Sequence, residues 1–66
     1  MNEMCMRILE ILDDREMTGP EIRRHVGEGK SIGYEMATLI GNGTVKVVGN
    51  TMDPRTNRRV AIYKKG

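Results

Sequence analysis

The amino-acid sequence predicts a single α+β domain over residues 1–66, in which three helices are followed by a two-stranded β-hairpin. Apolar residues recur at helical spacing in two segments, and a helix-capping sequence lies between them. The last third of the chain alternates β-branched and polar residues on either side of a run of turn formers. These patterns place the helices at residues 3–14, 18–27 and 31–41 and the hairpin at residues 44–64.

A stripe of apolar residues predicts the first helix. Its members, spaced so that they share one helical face, are Met4, Ile8, Ile11 and Leu12. Asn2 lies just before the helix, where its side chain can accept a backbone hydrogen bond as the N-cap. The stripe is broader than a small core requires, so either all of it is core or part of it faces a second subunit.

The second helix is predicted from the residues at its start. Thr18 can accept a hydrogen bond from the backbone N–H of Glu21, whose carboxylate can reach back to the N–H of Thr18. Pro20 suits the first turn, because the N–H that it lacks would have no partner there. Gly27 is expected to end the helix, since glycine readily adopts the left-handed backbone of a helix end.

A second apolar stripe predicts the third helix, with Ser31 as its N-cap. The residues expected to point inward are Ile32, Met36, Leu39 and Ile40. Glycines at residues 41 and 43 are expected to end this helix. A short and a longer helix joined by a few glycine-containing residues form the arrangement of a helix-turn-helix.

The remainder of the chain is predicted to be a β-hairpin with a long tip. Residues 44–48 and 59–63 alternate as strands do, and Val60 and Ile62 are expected to share one face. Residues 49–57 between them are rich in turn formers.

In this order of elements the chain resembles the winged helix-turn-helix regulators of bacteria and phages over nearly its whole length. The residues that carry the resemblance are Met17-Thr18-Gly19-Pro20-Glu21-Ile22, Leu39-x3-Gly43-x-Val45 and Asp53-Pro54-Arg55-Thr56-Asn57-Arg58-Arg59-Val60. The last segment is similar to the wing of MarR-type repressors, and the size is similar to that of the PapI/FaeA regulators of pilus operons. The 66 residues do not contain the long flanking helices with which MarR proteins dimerise, so that dimer and its ligand pocket are not implied.

The resemblance implies a sequence-specific transcriptional regulator that binds double-stranded DNA, with the third helix as a recognition helix in the major groove. Tyr34 and Thr38 lie one turn apart on its outward side and can bind a phosphate or a base edge. Lys30 and Ser31 at the helix start suit a phosphate contact. Arg23 lies on the second helix, which crosses the phosphate backbone in this fold.

The hairpin would then be a basic wing on the DNA backbone or in the minor groove. Arg55, Arg58 and Arg59 lie at or beside its tip, and Pro54 stiffens the tip. The alternatives are a solvated tip that contacts nothing, or an Arg59 that pairs with Asp53 across the hairpin and holds its shape.

The charge distribution favours a polyanionic partner. Residues 1–33 contain five basic and seven acidic residues, a net charge of −2, whereas residues 34–66 contain six basic and two acidic residues, a net charge of +4. Such asymmetry suggests that one half of the molecule faces a polyanion. A chain this small buries little surface on its own, so we also expect a homodimer or a tight partner.

Several classes of protein are not expected. The single Cys5 and single His25 give no disulfide framework, no metal site and no catalytic set, so we expect no enzyme, cofactor or small-molecule ligand. The apolar runs are too short for a membrane span and the N-terminus does not fit a signal peptide, which predicts a cytoplasmic protein.

Two other functions remain open at this point. The first is a protein-interaction module of the phage-inhibitor or adaptor type, because a fold does not determine a function and Glu35 on the outward side of the third helix would repel phosphate. The second is an architectural, excisionase-like factor, which would bend DNA.

Overall fold

The computed structural model describes residues 2–27 and 32–66, and within them it shows a small α+β protein of three helices and a three-stranded antiparallel sheet. The elements are α1 (Glu3–Ile11), β1 (Met17–Thr18), α2 (Gly19–Val26), α3 (Gly33–Gly41), β2 (Val45–Asp53) and β3 (Arg58–Lys65). The strands lie in the order β1-β3-β2, so β3 is central and β2 is at an edge. The predicted α+β class is confirmed, but the sheet has one strand more than the predicted hairpin.

Helix α1 begins as predicted and ends earlier. The side-chain oxygen of Asn2 accepts a hydrogen bond from the backbone N–H of Cys5 at 2.8 Å, which is the predicted N-cap. The helix ends at Ile11, three residues before the predicted boundary, and Asp14 has a φ of 59°. Carboxylates are unfavourable at the negative end of a helix dipole, and aspartate tolerates the left-handed backbone better than most residues do. Arg15 instead donates from Nε to the carbonyl of Ile11 at 2.6 Å.

Helix α2 contains the predicted capping box. The Thr18 N–H donates to Glu21 Oε1 at 3.0 Å, and the Glu21 N–H donates to the Thr18 hydroxyl at 3.4 Å. The hydrogen bond from the Thr18 backbone N–H, and then that from its hydroxyl, holds the pKa of Glu21 below its usual value. Gly27 ends the helix with a φ of 121°, a conformation that other residues rarely adopt.

The lowered pKa of Glu21 predicts a pH dependence of stability. A depressed carboxyl pKa stabilises the folded state fully above the unfolded pKa of about 4.3, and the stabilisation is lost as the pH falls through the folded pKa. We expect the urea midpoint of the wild type to fall more between about pH 6 and about pH 3 than that of Glu21→Gln. Glutamine can make the same capping hydrogen bonds without titrating in this range. Parallel pH profiles of the two proteins would contradict this prediction.

The core lies among the three helices and the first residues of the sheet. Its buried residues are Cys5, Ile8, Ile11, Leu12, Met17, Ile22, Val26, Ile32, Met36, Leu39 and Val45. Both predicted apolar stripes supply members, and Met4 of the first stripe is partly buried and packs against this core. Ile40, which the spacing predicted to point inward, is 38% exposed. The nine-residue helix α3 needs only a narrow buried stripe, and Met36 and Leu39 fill it.

Helix α3 begins at Gly33 rather than at residue 31. Ile32 occupies the N-cap position, and no side chain of the described residues caps this end of the helix. The predicted N-cap, Ser31, lies outside the described residues. The C-terminal boundary at Gly41 agrees with the prediction, and Gly43 follows with a φ of 79°.

Strand β1 was not predicted. Its two residues pair with β3, Met17 opposite Tyr63 and Thr18 opposite Ile62. Two residues are too few to show a strand period in the sequence, and their partners lie far along the chain. Met17 is buried and Tyr63 packs against the core, so this pairing fixes the sheet on the helices.

The hairpin strands are longer than predicted. Residues 49–53 were assigned to a long tip and residue 58 to neither strand, but they belong to β2 and β3, and only residues 54–57 form the turn. A register shift between Val47 and Gly49 inserts an extra residue into β2. Such a bulge allows a strand to continue past a glycine, although glycine in a sequence usually predicts a turn. Val60 and Ile62 do share a face, but the residue of β3 that packs against the core is Tyr63 on the other face.

Candidate nucleic-acid interface

The turn at the end of the hairpin is organised by Asp53. This side chain is 8% exposed, and its carboxylate accepts from the backbone N–H of Arg55 at 3.1 Å and from the hydroxyl of Thr56 at 3.3 Å. The backbone carbonyl of Asp53 accepts from the N–H of Asn57 at 2.7 Å. Asn57 has a φ of 57°, which asparagine tolerates in a tight turn. Asp53 therefore stabilises the turn through three hydrogen bonds, and these fix the backbone conformation of Arg55.

Removing the Asp53 carboxylate should destabilise the protein. Asp53→Ala loses two accepted hydrogen bonds, and we expect the free energy of unfolding in urea to fall by about 1–2 kcal/mol. Asp53→Asn keeps an oxygen in the same place and should cost less, since asparagine forms the same kind of turn. If the two variants lose equal stability, the turn hydrogen bonds are not the cause.

The arginines beside the turn lie on two faces of the hairpin. Side chains alternate along β3, so Arg59 shares a face with Tyr63, the helix side of the sheet, and Arg58 lies on the opposite, open face. The Arg59 guanidinium donates to Asn50 Oδ1, which holds it across the strands. Within the described residues no ion pair joins Arg59 to Asp53, so the suggested pairing across the hairpin is wrong. Arg55, Arg58 and Arg59 are all exposed.

The hairpin is strongly basic. The segment from Val45 to Lys65 contains one acidic residue, Asp53. It contains six basic residues, which are Lys46, Arg55, Arg58, Arg59, Lys64 and Lys65. Lys65 pairs with Asp13 at 3.6 Å, and this is the one ion pair within the part of the chain that the structure describes. Lys46 and Lys64 are directly opposite each other in the register. Like charges in such a position are unfavourable, so the hairpin favours contact with an anion.

The outward face of α3 is exposed as predicted but carries no basic residue. Tyr34 is 77% exposed, and the hydroxyl of Thr38 donates to the carbonyl of Tyr34 at 3.0 Å. That hydroxyl can still accept a hydrogen bond, while the Tyr34 hydroxyl, which bonds to none of the described residues, can act as both donor and acceptor. The helix Gly33–Gly41 exposes polar groups but no basic side chain, and the basic residues of this part of the molecule lie on the hairpin.

The other predicted site residues are placed only in part. Arg23 is exposed on α2. Lys30 and Ser31, predicted to bind phosphate at the start of the third helix, lie outside the described residues. Two residues that shape the tip were not predicted to do so: Asn50, interpreted as a turn former, which orients Arg59, and Asp53, considered only as an ion-pair partner. The sequence signal that could have identified this turn is an aspartate followed three residues later by a threonine, Asp53 and Thr56.

Other kinds of site are not evident in the described residues. Across residues 2–27 and 32–66, no group of three or more His, Cys, Asp or Glu side chains is arranged to hold a metal ion. None of the helices in the same ranges has the length and apolarity needed to cross a membrane. Comparison of the chain with protein-family models, with curated proteins and with solved structures finds no match.

Proposed function

We propose that this protein is a winged helix-turn-helix regulator that binds double-stranded DNA in a sequence-specific manner. In this proposal α2 and α3 form the helix-turn-helix, α3 enters the major groove, and the β2–β3 hairpin is the wing. Tyr34 and Thr38 read base edges or bind phosphate, and Arg55 and Arg59 bind the backbone or the minor groove.

The order of elements supports the fold part of the proposal. A short strand after α1 completes a three-stranded sheet with the hairpin, and α3 packs against β2. The wing and the third helix are therefore neighbours in the molecule. One duplex would contact both only if they present a common surface, which requires basic groups on the helix side of the hairpin.

The observation that carries the proposal is the exposed cationic tip on an organised turn. The only carboxylate between Val45 and Lys65 accepts hydrogen bonds from the turn itself, and it forms no ion pair with an arginine of the hairpin. Arg59 lies on the helix side, where a duplex that contacts α3 would pass. Guanidinium groups are suited to phosphate oxygens because they donate two parallel hydrogen bonds.

Selection from a random duplex library, followed by titration at several salt concentrations, tests this function. A sequence-specific regulator enriches one motif and binds it more tightly than random duplex, and its affinity falls steeply with salt because phosphate contacts release counterions. Failure to bind any duplex at low salt would exclude the proposal. Enrichment of no motif, together with strong bending in a bend assay, would favour the architectural function.

One observation favours a second candidate, a protein-interaction module. Helix Gly33–Gly41 contains no lysine or arginine, and its exposed side chains include the apolar Ile40 and Tyr34. Protein interfaces are enriched in tyrosine and depleted of lysine. Recovery of one stoichiometric protein partner that tolerates Arg55→Ala and Arg59→Ala but not Tyr34→Ala would favour this function over DNA binding.

A further inference from the structure

The free edge of β2 carries an unusual share of exposed apolar side chains. Val47 is 52% exposed, Val48 42% and Met52 47%. One backbone edge of this nine-residue strand pairs with β3, and within the described residues no strand pairs with the other edge. An exposed edge of this length, with apolar side chains along it, is a template for pairing with another strand.

The sequence of this strand is complementary to itself in the antiparallel direction. When two copies of residues 46–53 are paired with Asn50 opposite Asn50 of the second copy, and the extra residue Val48 is left unpaired in each, Lys46 lies opposite Asp53 of the second copy and Val47 lies opposite Met52 of the second copy. The same register therefore places apolar side chains together, and a cross-strand pair of this kind stabilises a sheet. Lys46 meets a carboxylate and not a second cation, although the Asp53 carboxylate is buried and already accepts two hydrogen bonds within its own turn.

The bulge makes this register geometrically consistent. Side chains opposite each other in a sheet must lie on the same face, and in a regular strand Val47 and Met52 would lie on opposite faces because they are five positions apart, an odd number. The extra residue between Val47 and Gly49 reverses the alternation, so Val47 and Met52 share a face. Lys46 and Asp53 share the other face for the same reason.

We propose that β2 is a homodimerisation strand, which pairs antiparallel with β2 of a second copy about a two-fold axis at Asn50. The two three-stranded sheets then form one continuous sheet of six strands. A two-fold interface of this kind uses the same patch on both subunits, which a strand complementary to itself provides. The proposal goes beyond DNA binding, and its test involves no DNA.

Sedimentation equilibrium from about 1 µM to about 1 mM measures the dissociation constant of the full chain. Val47→Lys introduces a charge opposite Met52 of the second copy, and we expect it to weaken the dimer at least about tenfold. Met6→Lys is the matched control, because Met6 is 55% exposed on α1 and undergoes the corresponding change from apolar residue to lysine away from the edge. Circular dichroism confirms that both variants remain folded.

Cysteine crosslinking tests the register itself. Asn50→Cys places two thiols opposite each other at the axis, within the Cα separation of about 4–7 Å that a disulfide allows, and should crosslink rapidly under mild oxidation. Val47→Cys lies on the same edge, but its two copies would be about 13 Å apart along the strands and should not crosslink. The native Cys5 is buried and does not compete.

A dimer that Val47→Lys dissociates and Asn50→Cys traps selectively supports the proposal. A monomer over the whole concentration range overturns it, as does a dimer that tolerates Val47→Lys or that crosslinks equally through both cysteines. In the first case Lys46 and the bulge act only to protect the edge from pairing.

Discussion

Replacing Arg55 and Arg59 with alanine together is expected to weaken the binding of double-stranded DNA about a hundredfold at low salt. Each guanidinium can make charge-assisted hydrogen bonds with a phosphate, and removing one such interaction costs about tenfold in affinity. The slope of log affinity against log salt should also fall by about one for each phosphate group that the variant no longer binds. Fluorescence anisotropy titrations with one duplex at four salt concentrations measure both quantities.

Arg58→Ala is the matched control for this double variant. It removes the same side chain from the neighbouring position, but Arg58 lies on the open face of the sheet and Arg59 lies on the helix side. We expect Arg58→Ala to cost less affinity than Arg59→Ala. An equal loss would mean that the total charge of the hairpin, and not the position of Arg59 on the helix side, governs binding. Unchanged affinity in the double variant would contradict the assignment of the hairpin as a wing.

Ile22→Ala is expected to leave most of the protein unfolded at room temperature. Ile22 is fully buried on α2, and truncating such a residue costs about 2–5 kcal/mol. A single core of this size rarely supplies more than about 3–5 kcal/mol of net stability. Urea unfolding followed by circular dichroism measures the loss, and the dispersion of amide resonances in NMR spectra reports whether a folded population remains.

Ile40→Ala is the control, because it removes the same atoms from a position that the structure exposes. Its cost should stay below about 1 kcal/mol, since a side chain that is 38% exposed loses less burial when truncated. If Ile40→Ala destabilises the isolated chain as much as Ile22→Ala, then Ile40 belongs to the core and the corrected assignment is wrong.

The parts of the fold that could be predicted are those whose causes lie within a few residues. The capping box needs only Thr18 and Glu21 three residues apart, and the N-cap of α1 needs only Asn2 beside its helix. Apolar residues at helical spacing placed Ile8 and Leu39 in the core. Local hydrogen bonds and a single helical period determine these features, so the order of neighbouring residues was enough.

The features that could not be predicted depend on residues far apart in the chain. Strand β1 forms because Met17 pairs with Tyr63, and no residue near Met17 indicates a partner that far along the chain. Ile40 has the same spacing as the core residues, but how far the buried stripe extends depends on what packs against α3. The strands continue past Gly49 because a bulge and cross-strand pairs outweigh the local preference for a turn.

The candidate site divides along the same line. The sequence alone indicated a basic hairpin and an outward-facing Tyr34, since charge follows from residue type and the helical period follows from residue order. The pairing of β2 with β3 was needed to show which arginine faces the helices. It was also needed to show that Asn50 accepts a hydrogen bond from Arg59. Alternation along a strand reveals that Arg58 and Arg59 lie on opposite faces, but only packing decides which of those faces covers the core.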